Sequence, residues 1–341
     1  MNPPFAVLAV LTGGVFLGSV IATRLILGWL RHKQILDLPN ERSSHSLPTP
    51  RGGGLAVTPV CLLAWLGLAA TGLAPAGLTL PLAAGLGLLV LSWFDDKGGL
   101  SPRFRLMLHL AAVIAGLASL PDDMLVFQGV LPFWADRLII GLGWVWFLNL
   151  YNFMDGIDGI TGVETASLGL GIGLLALAPP GLPGDLPAAL AAPALALTAA
   201  ALGFLVWNWH PAKLFLGDSG SIPLGYLLGW LLILLAGHGY LAAAVILPLY
   251  YLADATITIT RRALRGEKIW QAHRQHFYQQ AVRGGLPHDK TARLIGLVNL
   301  GLIAAAFVSV DSPWPALGGA AVLVALVLAL FARIGHRSTT P

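Results

Sequence analysis

Eleven apolar segments dominate this 341-residue chain, at about 5–30, 53–74, 79–95, 104–121, 134–151, 160–178, 188–207, 221–237, 241–259, 292–310 and 315–333. Runs of roughly 17–25 residues can each cross a ~30 Å hydrocarbon layer as a helix, the one single-segment structure that satisfies its own backbone groups in lipid. Composition agrees: 56% of residues are hydrophobic and only 11% charged, against about 25% charged in soluble domains. The expected fold is therefore all-α, a polytopic integral membrane protein of about eleven transmembrane helices forming one domain over residues 1–341. The 41 glycines and 23 prolines fit helices in lipid, whose neighbours re-satisfy the backbone. Segment 5–30 has no basic flank ahead of it and is long enough to span, so it reads as a permanent first helix. The single Cys61 excludes an intramolecular disulfide and reads as a packing residue.

Short turns at about 74–77, 179–187, 237–239 and 311–315 alternate with longer polar loops at about 31–52, 95–104, 149–160, 208–220 and 260–291. Of the 20 Lys and Arg, only Arg137 lies clearly on the short-turn side, and Arg24 falls inside the first span. The positive-inside rule then makes the long loops cytoplasmic, the N-terminus external and the Gly335-His336-Arg337 tail internal. Asp122, Asp123, Asp136, Asp185 and Asp311, on the outer side, read as solvated turn residues. A pI near 9.4 follows from this topology and fits anionic substrates, while no basic block suggests nucleic acid.

The stretch from Asn149 to Gly159 interrupts the apolar pattern with two amides, two carboxylates and two glycines. Its polar positions 149, 152, 155 and 158 recur every third residue, which on a regular helix sweeps about half the circumference and cannot aim them at one point. Gly156 and Gly159 can break the helix and let these groups converge into a cup for a cation or a phosphate. A plain helix end with Asp caps and a Gly stop is the alternative. In the first loop, Arg51 precedes three consecutive glycines, Gly52 to Gly54. That arrangement lets backbone N–H groups approach an anion gripped by the guanidinium, or else lets helices pack closely. The second loop carries adjacent Asp95 and Asp96, whose mutual repulsion asks for Mg²⁺ bridging phosphates or for neutralisation by Lys97.

The fourth loop sets Asp218 among Gly217, Ser219 and Gly220 as a hard-oxygen ligand for Mg²⁺. Phe215 beside it can stack on a planar base or sit as an interfacial aromatic. In the last loop His273 and His276 share a helix face. They read as phosphate contacts rather than zinc ligands, because the loop supplies no obvious further ligand. Arg261, Arg262 and Arg265 read as topology and lipid-headgroup residues. Asp254, inside the ninth span, is a functional candidate, with an ion pair to Arg261 or Arg262 as the competing explanation.

These clusters fall on one membrane face, and their order carries a resemblance. Asp95-Asp96-Lys97 followed by Leu100-Ser101, the Asn-x-x-Asn-x-x-Asp-Gly-x-Asp-Gly pattern from Asn149 to Gly159, and Phe215-Leu216-Gly217-Asp218-Ser219-Gly220-Ser221 are similar to the motifs of the polyprenyl-phosphate N-acetylhexosamine-1-phosphate transferases, glycosyltransferase family 4. The resemblance covers nearly the whole chain. It implies transfer of an N-acetylhexosamine-1-phosphate, or a 6-deoxy relative, from a UDP-sugar to undecaprenyl phosphate, with release of UMP and dependence on Mg²⁺, Mn²⁺ being the substitute ion. By the same resemblance Asp95, Asp96 and Asp158 are catalytic, and Asp218, Asn152 and Asp96 are metal ligands. Arg51, Asn149, Asp155, Phe215, His273, Arg274 and His276 then contact substrate. Which of Asp95 and Asp96 takes a proton stays open.

The implied setting is the bacterial inner membrane, multi-pass, with a cytoplasmic active site. Implied partners are the UDP-sugar, undecaprenyl phosphate and membrane lipids, with a homodimer open. The chain departs from the family at His276-Phe277-Tyr278-Gln279, where many members carry three clustered histidines. Its first loop, Pro39-Asn40-Glu41-Arg42-Ser43 and Pro48 to Gly54, looks most like the branch that initiates O-antigen in lipopolysaccharide synthesis, with the peptidoglycan and teichoic acid branches as alternatives. A polytopic secondary transporter is the reading from another class. Transporters, however, place ionisable groups near the bilayer midplane on broken helices, whereas these acids cluster at one interface.

Overall fold

The computed structural model describes residues 4–39, 47–178, 187–271 and 273–337. Asn40 to Ser43 of the first loop, and most of the 179–187 turn with Asp185, lie outside the described residues. Those described form thirteen α-helices, with one short 3-10 turn at Ala188–Leu190 and one π turn at Ala236–Tyr240. They are α1 Phe5–His32, α2 Gly54–Ala70, α3 Thr79–Gly98, α4 Pro102–Leu117, α5 Phe133–Phe153, α6 Ile160–Ala176, α7 Ala191–Asn208, α8 Asp218–Leu235, α9 Leu241–Ile246, α10 Leu249–Leu264, α11 Phe277–Arg283, α12 His288–Val308 and α13 Pro313–Arg337. One short antiparallel pair joins β1 (Leu36–Asp37) to β2 (Thr49–Pro50), with Leu36 opposite Pro50 and Asp37 opposite Thr49.

Each apolar segment of the sequence is helical. The ninth divides into α9 and α10 at Leu247-Pro248, where proline has no N–H to continue the ladder. The last polar loop adds α11, a short helix that hydropathy alone does not foresee. Six helical stretches are long and apolar enough to cross a membrane: Phe5–His32, Thr79–Gly98, Ala188–Asn208, Asp218–Ile246, His288–Val308 and Pro313–His336. Side chains facing outward are apolar as well, Leu63, Ile114, Leu142 and Leu326 among them, which in lipid carries no hydration cost. This is a multi-pass membrane protein.

The core lies on α8. Every residue from Asp218 to Leu235 is buried, as expected of a helix that is apolar all round, and α8 packs against α2, α3 and α5. Aromatic groups with a polar tip fix its rotation. Trp144 of α5 stacks on Tyr226 with centroids 4.7 Å apart and donates to the Tyr226 carbonyl at 3.0 Å. The Tyr226 hydroxyl donates to the Ala112 carbonyl of α4 at 3.0 Å. Such bonds satisfy groups that lipid cannot. At its N-terminal end α8 touches α2 backbone to backbone: a Cβ on Gly54 would meet the Gly220 amide and the Ser219 carbonyl carbon. Thr58, one turn further along α2, donates to the Ser219 carbonyl at 3.0 Å. Of the acids assigned to the short-turn side, Asp122, Asp123 and Asp311 are exposed as expected and Asp136 is not. Asp136 is fully buried and accepts from the Phe127 amide at 2.9 Å.

Because the Gly54 contact is to main chain and cannot be relieved by a rotamer change, Gly54→Ala is expected to cost about 1–3 kcal/mol through overpacking. Thermal unfolding of the purified protein in detergent checks this; an unchanged melting temperature refutes the tight α2–α8 contact.

Candidate active site

Gly217, at φ +76°, turns the chain so that Asp218 opens α8. The first amides of a helix have no partner within it, and here a different helix supplies one. Asp218 N and Ser219 N donate to Asp96 Oδ1 and Oδ2 at 2.9 and 3.0 Å, so the carboxylate at the end of α3 caps α8. Negative charge is favoured at that pole. Arg51 Nε lies 3.0 Å from the same Asp96, and Arg51 Nη2 lies 2.7 Å from Asp218 Oδ1. Arg105, in the first turn of α4, reaches Asp95 Oδ2 at 3.1 Å and Asp218 Oδ2 at 3.7 Å. Helix α4 starts there because Ser101 Oγ accepts from Phe104 N and Pro102 fills the first position. Three carboxylates thus face two guanidiniums, a formal surplus of one negative charge.

Two of the alternatives are now decided. Lys97 does not neutralise the Asp pair; its Nζ lies 4.8 Å over the Trp93 ring, and the counter-charges come from Arg51 and Arg105. Nor do Gly52 to Gly54 present amides to an anion, because those N–H groups donate to the Phe215 and Leu216 carbonyls. Close packing is what these glycines serve.

The Asn149–Gly159 stretch breaks as its glycines allow. Helix α5 ends at Phe153, Gly159 takes φ +78°, and α6 begins at Ile160. Asn152, Asp155 and Asp158 line a cavity of about 550 Å³ together with Arg51, Arg105, Phe215, Asp218, His273 and His276, a volume in the range of small-molecule sites. Asn149 is not among the lining residues. It sits a turn earlier, donating to the Val145 carbonyl at 2.7 Å with its Oδ1 3.1 Å from His109 Nδ1. Asn152 Oδ1 accepts from Ser221 Oγ at 2.8 Å. Asp155 Oδ1 accepts from Thr161 Oγ1 at 2.7 Å. Burial pushes its pKa up to about 6, against the opposing pull of the Thr161 bond and the Arg51 charge.

Asp158 Oδ2 accepts from Ala212 N at 3.2 Å and lies 2.6 Å from His210 Nδ1 and 3.4 Å from His288 Nδ1. Burial raises the pKa of Asp158, but hydrogen bonds with His288, His210 and Ala212 outweigh it and hold the carboxyl below its ordinary value. Asn208 ties the two loops together: its Oδ1 accepts from Gly159 N at 3.0 Å and its Nδ2 donates to the Leu214 carbonyl at 2.9 Å.

In the last loop Asp254 is fully buried, and its partner is neither Arg261 nor Arg262. It accepts from Phe277 N and Tyr278 N at 3.0 and 3.2 Å and lies 3.2 Å from His276 Nδ1. Asp254 therefore caps α11 from α10 and leaves Nε2 of His276 for the cavity that the ring lines. Arg261 stacks on Phe277 at 5.0 Å. Arg262 is no headgroup residue: it is buried and holds the following loop through Glu267 Oε2 at 2.8 Å and the Lys268 and Gln271 carbonyls at 3.1 Å each. The His273 and His276 rings stack at 4.8 Å. Burial, then the neighbouring His276 and Arg262, push His273 down to about 4, so it is neutral at physiological pH. Where the family's further histidines would stand, Gln279 lines the cavity and accepts from His276 N at 3.2 Å, while Tyr278 Oη donates to the Phe153 carbonyl at 3.3 Å. Arg274 is half-buried and outside the cavity lining.

Arg105, His210 and His288 are the site residues that sequence reading passed over. For Arg105 a signal existed, since a cation in the first turn of a helix opposes the macrodipole and needs an acidic neighbour to justify it. His210 and His288 lie 78 positions apart in the sequence, and nothing local links them.

Residues 78–236 match the family model of glycosyl transferase family 4. The chain is 30% identical over 275 residues to a probable undecaprenyl-phosphate N-acetylglucosaminyl 1-phosphate transferase of Bacillus subtilis, covering 77% of this chain and 74% of that protein. It is 31% identical over 288 residues to a phospho-N-acetylmuramoyl-pentapeptide-transferase of Picosynechococcus, covering 76% and 74%. To a decaprenyl-phosphate N-acetylglucosaminephosphotransferase of Mycolicibacterium smegmatis it is 29% identical over 362 aligned positions, covering 93% and 87%. On these matches, and on the motifs gathered around one cavity, the chain belongs to the polyprenyl-phosphate N-acetylhexosamine-1-phosphate transferases of glycosyl transferase family 4.

Proposed function

We propose that the protein transfers an N-acetylhexosamine-1-phosphate, or a 6-deoxy N-acetyl sugar-1-phosphate, from a UDP-sugar to undecaprenyl phosphate, releases UMP, and so initiates a lipid-linked O-antigen or other surface polysaccharide. The observation that carries this reading is the gathering of Asp218, Asn152, Arg51 and Arg105 with Asp155, Phe215 and His276 in one cavity. Two anionic phosphates must meet there, and only such a mixture of hard oxygen donors and guanidiniums serves both.

The donor set fits Mg²⁺, which prefers one or two carboxylates or amide oxygens plus substrate phosphates. Asp218 and Asn152 would hold it. Asp96 has both oxygens on the α8 amides, so we assign it to orienting Asp218 rather than to ligation. When bound, the ion withdraws charge from the donor diphosphate. Arg51 and Arg105 grip phosphate oxygens through charge-assisted bonds and align the two reactants. Asp95, beside Arg105, orients the lipid phosphate or takes its proton. Phe215, Asp155 and Asp158 receive the nucleotide, while neutral His273 and His276 Nε2 hold the sugar or diphosphate. In this reading all eleven apolar segments span the bacterial inner membrane, with the N-terminus outside and the cavity and C-terminus cytoplasmic. Relatives acting on N-acetylmuramoyl-pentapeptide donors make the peptidoglycan branch the second reading; a panel of UDP-sugars with undecaprenyl phosphate in detergent separates the two.

Asp218→Asn is expected to lower Mg²⁺-dependent UMP release at least ~100-fold while the protein still inserts in the membrane. Full activity in that variant refutes the ligand assignment, and substrate binding without UMP release by the unmodified protein favours a transporter.

Because Asp155 titrates at about 6, it is protonated below that value and ionised above it. If its carboxylate accepts a nucleotide N–H or O–H, affinity for UDP-sugar rises between about pH 5 and 7. Calorimetric titration without the lipid acceptor measures this, and the rise should vanish in Asp155→Asn. A pH profile identical in both proteins removes Asp155 from the nucleotide site.

A further inference from the structure

Beyond the oxygen-rich cluster at Asp218, two cavity-lining residues and a neighbour form a second set of metal-ligating groups of different chemistry. Asp158 comes from the α5–α6 loop, His210 from the α7–α8 loop and His288 from the start of α12. One ligand atom from each lies within 4.8 Å of the other two. Both imidazoles turn the same nitrogen, Nδ1, toward the same oxygen, Asp158 Oδ2, at 2.6 Å for His210 and 3.4 Å for His288. That oxygen also accepts from the Ala212 amide at 3.2 Å.

Hydrogen bonding assigns the two imidazoles different roles: His288 Nδ1 faces the Asp158 amide at 3.4 Å, which makes that nitrogen an acceptor with its proton on Nε2, while His210 and the Ala212 amide occupy the two lone pairs of Oδ2. The His288 lone pair is thus already directed into the cluster, and a cation would take the place of the His210 proton, each imidazole presenting its Nδ1 lone pair and the carboxylate supplying charge. The ring centroids of His210 and His288 are 5.0 Å apart at 47°, so they flank the carboxylate without stacking face to face. The carboxylate and His288 side chains are nearly buried, 7% and 10% exposed, while His210 at 38% leaves a route in.

We propose that Asp158, His210 and His288 form a second cation site, selective for a borderline divalent ion of the zinc class, with its remaining coordination position open to the cavity. Two imidazoles and one carboxylate are a zinc-type set with three protein ligands, and imidazole discriminates against Mg²⁺, which keeps to oxygen. Asp158 and His288 both line the cavity, so water or an oxygen of a cavity ligand completes the shell. Reaching it requires His210 to back away from the carboxylate, which its exposure permits. The inference is independent of the transferase reading, because it concerns binding of an ion in the absence of any substrate.

The test uses the full chain in detergent, made without a polyhistidine tag, stripped with chelator and held in excess Mg²⁺ to saturate the oxygen-only cluster. Calorimetric titration with ZnCl₂ should show one zinc per chain. His210→Ala and His288→Ala should each weaken binding at least ~10-fold and the double variant should abolish it, whereas His273→Ala should leave it unchanged. Zinc-edge X-ray absorption on the unmodified protein should show a nitrogen and oxygen shell at about 2.0–2.1 Å with scattering from two imidazoles. This last measurement decides the matter even where a histidine variant fails to fold. Zinc affinity unchanged in the double variant, a bound zinc without imidazole scattering, or no zinc binding at all overturns the proposal. UMP release, assayed separately with Mg²⁺ alone, reports on the transferase reading whichever way the zinc experiment falls.

Discussion

The carboxylate of Asp96 holds the site together. It takes the first two amides of α8 and the guanidinium of Arg51, and so joins the end of α3, the start of the central helix and the segment leading into α2. Each partner alone would be costly at the edge of an apolar bundle: an uncapped helix pole, a lone carboxylate, a lone guanidinium. Combined, they satisfy one another and fix where Asp218 stands. Asp254 repeats the device on the far side of the cavity, where an acid of α10 caps α11 and orients His276. In both places a carboxylate from one helix closes the N-terminus of another.

This economy explains why so few charges suffice in a chain that is 11% charged. The apolar body holds few of them, Glu164 of α6 with its Asn299 partner at 2.7 Å being one, and large apolar side chains cover much of the outward face. Charge is concentrated where helix ends leave backbone groups without partners, and those are the positions from which a ligand can be reached. Arg262 shows the same logic applied to a loop: its buried guanidinium gathers Glu267 and two backbone carbonyls, ordering a segment that has no apolar core of its own.

Much of the architecture could be read from the chain directly. All eleven apolar runs are helical, because a long hydrophobic segment has little choice of structure in lipid. Asn152, Asp155, Asp158 and Asp218 reach one cavity, and the spacing of polar residues around Gly156 and Gly159 already pointed to a broken helix as one way for them to converge. The local alternatives that the structure rejects, and the misplaced Asn149, came where a residue has two plausible surroundings at different sequence distances. Lys97 is adjacent to the Asp pair, yet arginines from two other elements neutralise it. Asp254 is near Arg261 and Arg262 in sequence, yet α11 folds back to it. Asn149 follows the triplet rhythm, but the helix does not break until after Phe153, so that residue remains on the earlier face. Sequence proximity weighs local partners too heavily when the decisive ones come from another helix.

The contact of Gly54 with Gly220 has a consequence for how such a protein can diversify. Where two backbones touch, there is no side chain to vary, so the packing behind the cavity-lining Gly217 and Asp218 leaves no room for a larger residue. Another part of the lining is made of side chains on the segment that Arg262 holds, and Ile269, Trp270 and Gln271 face the cavity from it. Side-chain change is therefore easier in that segment than behind Asp218, which divides the lining into a fixed base and a replaceable faceplate.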